Sequence, residues 1–260
     1  MDLELTGRRA LVTGGSRGIG LAVGRALAAE GADVALVARG EEALRRAADD
    51  VARESGRTVL AAPADTGDDA SVAMMVGHVV ARLGGVDILV NAAATPATGA
   101  PFTDDDLEGE INVKVRGYLR CARAVAPLMV ESGWGRIVNI AGLAARQTGN
   151  VVGTIRNVAV AAMTKNLADE LGPRGVNVTV LHPGMTRTER TPEAMETMAQ
   201  SRGTTVEELE RALEAGVSIG RLVTAEEVAA VVAFLASPRS VALNGDPVVA
   251  GGGARGSIHY

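Results

Sequence analysis

The sequence is poor in aromatic residues, with two Phe, two Tyr and one Trp among 260 residues. Only Tyr118 and Tyr260 carry a phenol, so chemistry that needs one has two places to find it. Cysteine is rarer still. Cys121 stands alone, which excludes an intrachain disulfide and suits a reducing compartment. The formal net charge is -5 and no basic cluster stands out, which argues against nucleic acid or an anionic membrane as the main partner. The longest purely apolar run, 228–236, is too short to cross a bilayer. The opening residues, Met1-Asp2-Leu3-Glu4-Leu5, lack the basic-then-apolar layout of a secretory signal, so the expected location is the cytoplasm. His78, His182 and His259 are scattered without cysteine partners, and no metal site is expected.

What is present is an ordinary globular composition, 47% hydrophobic and 22% charged, in a chain long enough for one domain over 1–260. Strand-like runs at 9–12, 33–38, 58–62, 86–90, 136–140, 176–181 and 247–249 alternate with amphipathic helices. The runs are continuous rather than alternating in polarity, as in strands buried on both faces. In helix 41–54, Leu44, Ala47, Ala48 and Val51 make one apolar stripe. Thr224 and Glu227 form a capping-box pattern ahead of Val228. The alternation predicts an α/β fold, a single doubly wound parallel sheet of about seven strands with helices on both faces.

The first strand leads into Thr13-Gly14-Gly15-Ser16-Arg17-Gly18-Ile19-Gly20, and a helical pattern follows. Glycines let the backbone turn tightly and approach a ligand. The unpaired N–H groups at the start of the next helix favour an anion such as a pyrophosphate. The Gly-x-x-x-Gly-x-Gly spacing resembles that of the short-chain dehydrogenase/reductase family, whose Rossmann fold agrees with the strand–helix alternation. Later landmarks extend the resemblance over nearly the whole chain. Asp65 matches the family's adenine-contacting Asp. Asn91 opens Asn91-Ala92-Ala93-Ala94, which departs at two positions from the family's Asn-Asn-Ala-Gly. Asn112 matches the catalytic-helix Asn, and Pro183-Gly184, with Thr186 or Thr188 beyond, matches the loop over the nicotinamide. By resemblance the cofactor site comprises Gly14, Ser16, Arg17, Gly18, Ile19, Gly20, Arg39, Asp65, Asn91, Asn157, Pro183 and Gly184. A lid insertion is expected at about 186–218, built of two helices broken at Gly203, with Met195 and Met198 on a soft apolar face or in ordinary packing. The helices expected over 105–132 and 151–171 match the family's dimer interface, so the resemblance implies a homodimer or homotetramer.

An NAD site places a carboxylate after the second strand, on the ribose 2′-hydroxyl. Here the strand ends Val37-Ala38-Arg39-Gly40. Arg39, with Arg17, suits a 2′-phosphate instead, which predicts NADP(H) over NAD(H).

The family's catalytic centre combines Ser, Tyr and Lys with the Asn. Counting from strand 136–140 and from Met163-Thr164-Lys165 places Gly142 at the Ser position, Gly153 at the Tyr position and Asn157 at the Lys position. Glycine cannot donate a proton, and a neutral amide cannot lower a neighbour's pKa. The Gly-x-x-x-Asn pattern, preceded by Arg146-Gln147, resembles a divergent branch of the family. Tyr118 reads as a packing or interface residue, since six helical residues turn it about 600° from Asn112. His182, at a carboxyl strand end, is open to a functional or a structural role. Arg146, Gln147 and Arg156 flank the centre, ready for an anionic substrate group or for solvent. His259 and Tyr260 end the chain, where Tyr260 would serve a shared site or lie in a loose tail. Two classes of function therefore stand open. One is an atypical oxidoreductase, or a non-redox dehydratase or cyclase, acting on a small molecule. The other is a non-catalytic nucleotide-binding subunit or regulator, including a hetero-oligomer with an active paralogue.

Overall fold

The computed structural model describes residues 2–95 and 101–256. Nine strands and nine α-helices alternate through the described chain. The strands are β1 Arg9–Thr13, β2 Asp33–Val37, β3 Val59–Ala61, β4 Ile88–Asn91, β5 Gly135–Ile140, β6 Val176–Pro183, β7 Thr186–Arg187, β8 Val223–Thr224 and β9 Pro247–Ala250. The helices are α1 Gly18–Ala29, α2 Glu41–Ser55, α3 Asp69–Leu83, α4 Asp104–Glu110, α5 Gly117–Glu131, α6 Val151–Leu171, α7 Thr191–Arg202, α8 Val206–Ala215 and α9 Ala225–Leu235. Seven strands form one parallel sheet in the order β3-β2-β1-β4-β5-β6-β9. The order reverses between β1 and β4, and a crevice opens there at the carboxyl ends of the strands.

Strand side chains alternate between faces, and the core divides accordingly. Ala10, Val12, Val34 and Leu36 face α1, α2 and α9. Leu11, Ala35, Val37 and Leu89 face α3, α5 and α6. Both faces are covered, which explains the unbroken apolar runs. The Thr224–Glu227 capping box forms as expected, each residue's side chain bonding the other's amide.

The helix expected over 105–132 is instead three segments. Between α4 and α5, Ile111–Arg116 winds as a π-helix. Such wide turns shift the phase of the residues they contain, which sequence periodicity cannot show. Between β7 and β8, α7 and α8 form the expected helix pair. Gly203 ends α7 with φ +62, a left-handed value suited to glycine. Met195 packs in a small core with Ala199, Leu209 and Leu222, and Met198 lies against it.

Candidate active site at the carboxyl end of the sheet

The glycine turn is fixed by close backbone approach. The Thr13 hydroxyl accepts hydrogen bonds from the amides of Ala92 at 3.0 Å and Ala93 at 3.1 Å, tying β1's exit to that of β4. Gly14 has φ +70, and a Cβ there would stand 2.8 Å from the Ala92 carbonyl. A Cβ on Gly20 would stand 2.3 Å from the Gly14 carbonyl, so any side chain at 20 would force the turn open. Arg17 precedes α1 in extended conformation, and its side chain does not cap the helix.

Around this turn lies a cleft of about 670 Å³. Gly14, Ser16, Arg17, Ile19 and Gly20 line one wall, with Arg39 and Asp65 further along. Ala92 to Thr95 line another wall, and Met185, Thr186 and Thr188 close the third. Met185 was not singled out by sequence, because one methionine in a loop carries no pattern.

Five expected cofactor residues, Gly18, Asn91, Asn157, Pro183 and Gly184, are not among those that line the cleft. Asn91 is fully buried: its amide donates to Asn139 at 2.9 Å and to the Tyr118 carbonyl at 3.3 Å. Asn139 in turn donates to Thr164 at 2.9 Å, so the Asn91 side chain begins a buried polar chain from β4 through β5 to α6. Pro183 is the buried end of β6, and with Gly184 it sets the direction of the loop that carries Met185 to Thr188 into the cleft. Gly18 offers its amide to Glu189 Oε1 at 3.0 Å.

Asn112, the residue expected on the catalytic helix, lies in the π-helix and donates to the Gly67 carbonyl at 3.1 Å. Two residues later in the same π-helix, Lys114 enters the interior. It is 4% exposed and its Nζ donates to the Ala141 carbonyl at 2.8 Å, just beyond β5.

Gly142, Gly153 and Asn157 do converge. A Cβ on Gly142 would lie 3.2 Å from Asn157 Nδ2. The φ of 166 at Gly142 is extended, so a serine there would suffer no backbone strain. Gly153 sits in the first turn of α6, where its amide donates to Asn150 Oδ1 at 2.6 Å and completes the helix cap. Asn157 is buried, and its Oδ1 has no hydrogen-bond partner among the described residues.

Beside them, Arg156 and Glu110 form a buried ion pair at 2.7 Å, with side chains 8% and 4% exposed. Arg156 also donates to the Thr95 carbonyl at 3.0 Å and so reaches the cleft wall. It is therefore neither solvated nor free, because Glu110 approaches it from α4. Arg146 is half-buried and Gln147 is exposed. His182 is 1% exposed, with Nδ1 2.9 Å from the Gly142 carbonyl.

Burial dominates the electrostatics of this region. It pulls the Lys114 ammonium down to about 7, the Arg156 cation adds to the fall, and Glu110 opposes it. Tyr118 is buried and donates to the Ile140 carbonyl at 3.0 Å. Burial pushes its phenol well above the usual range, which removes it as an acid near neutral pH. Cys121 is buried, with its thiol pushed up to about 12 by burial, and is inert for the same reason. His259 and Tyr260 lie outside the described residues. Among the described residues, no cluster of His, Cys, Asp and Glu fits a metal ion, and no helix is long and apolar enough to cross a membrane.

A family model described as enoyl-(acyl carrier protein) reductase matches residues 14–255. The chain belongs to the short-chain dehydrogenase/reductase family. Over 251 residues it is 36% identical to the short-chain reductase protein NovJ of Streptomyces niveus, covering 94% of this chain and 92% of the relative. It is 32% identical over 256 residues to the D-beta-hydroxybutyrate dehydrogenase of Rhizobium meliloti, covering 95% and 98%. Among solved structures, this short-chain dehydrogenase/reductase resembles the L-sorbose reductase of Gluconobacter frateurii complexed with NADPH and L-sorbose. That match has a TM-score of 0.92 and 28% identity, and covers 99% of this chain and 100% of the other. It also resembles a short-chain dehydrogenase of Burkholderia cenocepacia in complex with NADP, with a TM-score of 0.83 and 34% identity over 96% and 98% of the two chains.

Proposed function

We propose that this short-chain dehydrogenase/reductase binds NADP(H) in the cleft and acts as an oxidoreductase whose proton comes from Lys114 rather than from a tyrosine. The cofactor reading is supported by the NADPH and NADP held by similar structures and by the donors lining this cleft. Arg17 and Arg39 would hold a 2′-phosphate, Asp65 the adenine, and the first amides of α1 the pyrophosphate. The three residues directly after β2, Ala38-Arg39-Gly40, hold no carboxylate to select NAD. Arg39→Ala is expected to weaken NADPH binding about tenfold or more and leave NADH nearly unchanged, because a charge-assisted hydrogen bond is worth about 1.5–3 kcal/mol. A direct titration in which NADH binds as tightly as NADPH sinks this reading.

One observation carries the catalytic reading: a buried lysine bonded to the Ala141 carbonyl, next to Gly142, the residue we assign to the family's serine position. Keeping an ammonium there is costly, and strongly shifted groups next to a cleft mark functional sites. When bound, NADPH supplies a hydride to a carbonyl carbon. Lys114, with a pKa of about 7, holds the proton that the carbonyl oxygen must gain. Asn157 Oδ1, buried without a partner among the described residues, would accept from a bridging water or a ribose hydroxyl. The α7–α8 pair would cover a small-molecule substrate, and Met185 would give it an apolar contact.

The test is turnover by the pure protein with NADPH and a panel of ketones and β-ketothioesters. Lys114→Ala is expected to abolish turnover, and Lys114→Arg to raise the pH at which it falls. Turnover that survives Lys114→Ala removes the proposal. A second reading, a non-catalytic subunit paired with an active paralogue or with its own copy, is favoured by the exposed Val151, Ile155 and Val158 stripe on α6. It predicts no turnover alone; carbonyl reduction gained in Gly142→Ser/Gly153→Tyr/Asn157→Lys would support a simple loss of the catalytic groups, and no gain would point to a pocket rebuilt for something else.

A further inference from the structure

The amides at the start of α1 already have an anionic partner within the chain. Glu189 lies in the loop between β7 and α7, 171 residues beyond Gly18, and its Oε1 accepts the Gly18 amide at 3.0 Å. The loop is held in place on both sides. β7 pairs with β8, the Thr191 hydroxyl accepts from the Thr188 amide at 2.7 Å, and Thr186 and Thr188 line the cleft. Glu189 itself is exposed, so its side chain can swing off without moving the backbone. The first-turn amides of a helix attract an anion through unpaired N–H groups and the helix dipole. A carboxylate satisfies both, as a phosphate does.

We propose that Glu189 is an internal stand-in for the cofactor's pyrophosphate: the ligand-free protein occupies its own anion site, and a dinucleotide must displace this carboxylate to bind. The inference rests on the cofactor reading given above. It explains why a loop beyond β6 carries an acidic side chain to a cleft built for a polyanion, where it would otherwise only repel the ligand. Apparent affinity falls by the fraction of molecules in which the site is free, so a contact made nine times in ten weakens binding about tenfold. The displaced carboxylate returns to water, and the loop loses its tie to the glycine turn only when the cofactor is present.

The experiment compares NADPH affinity, by fluorescence titration, in the wild type, Glu189→Gln, Glu189→Ala and Glu193→Gln. Glu193 is an acidic residue in the first turn of α7 and serves as the charge control. Glu189→Ala is expected to bind three- to tenfold tighter, Glu189→Gln to fall between it and the wild type, and Glu193→Gln to match the wild type. Melting temperatures supply the second readout. Displacement requires Glu189→Ala to melt below the wild type without ligand and together with it at saturating NADPH. Simple charge repulsion would leave the ligand-free melting temperature unchanged. Equal affinity in the wild type and Glu189→Ala overturns the proposal while leaving the cofactor reading intact. Absence of NADPH binding in all four proteins overturns both.

Discussion

Arg156→Met is expected to destabilise the protein by about 3–5 kcal/mol, because it leaves the Glu110 carboxylate buried without its cation. The pair joins α4 to α6 across the floor of the candidate site, and the Thr95 carbonyl loses its donor in the same change. Lys114 softens the loss. Removing Arg156 takes away one of the influences that lower the lysine's pKa, so Lys114 becomes a better partner for Glu110. The loss should therefore fall near the lower end of the range at pH 6 and grow as Lys114 deprotonates. Glu110→Met combined with Arg156→Met is expected to recover most of the stability, since apolar groups of similar volume avoid both desolvation costs. Urea unfolding of the wild type and the three variants decides the matter. A single variant losing less than about 1 kcal/mol would show that the pair is not holding the site together.

Lys114→Met is expected to have the opposite sign at low pH. The lysine titrates near 7 in the folded protein, against about 10.5 when unfolded. Between those values the unfolded chain binds a proton that the folded chain does not, so stability rises with pH. Below about pH 7 both states are charged and the whole penalty of the buried ammonium is present. Lys114 alone should give the wild type about 2 kcal/mol more stability at pH 9 than at pH 7. Methionine removes this dependence. It also leaves the Ala141 carbonyl without its donor, at about 1 kcal/mol. The variant should therefore exceed the wild type by about 2–3 kcal/mol at pH 6 and lose that lead by pH 9. Parallel stability–pH curves for the two proteins would refute the shifted pKa. A residue that costs stability at neutral pH and whose removal abolishes turnover has the signature of a functional group rather than a packing one.

Much of the architecture was legible in the sequence. The unbroken apolar runs gave the parallel sheet, and the glycine spacing gave the turn whose geometry tolerates no side chain at Gly14 or Gly20. Arg17, Arg39 and Asp65 line one cleft, as their places after β1, β2 and β3 implied. The catalytic region was less legible, and the π-helix is the physical reason. Asn112 follows from the family resemblance, which says nothing of Lys114, and no periodicity marks a wide turn of six residues. Arg156 was open to solvent or to a ligand because its partner, Glu110, lies on another element. Asn91 stood at the right strand end, but side chains there alternate between the cleft and the opposite face. Glu189 was invisible because its contact spans most of the chain.

The Asn150–Gly153 cap bears on how this site can change. The amide at 153 is held by the Asn150 side chain, and a Cβ there would lie 3.0 Å from Asn150 Oδ1 and 3.1 Å from its Cγ. A tyrosine at 153 therefore presses on the group that starts the helix carrying it. For any side chain at 153 the Asn150 cap must give way by a few tenths of an ångström. The helix start thus ties position 153 to position 150, so what one can carry depends on what caps the other.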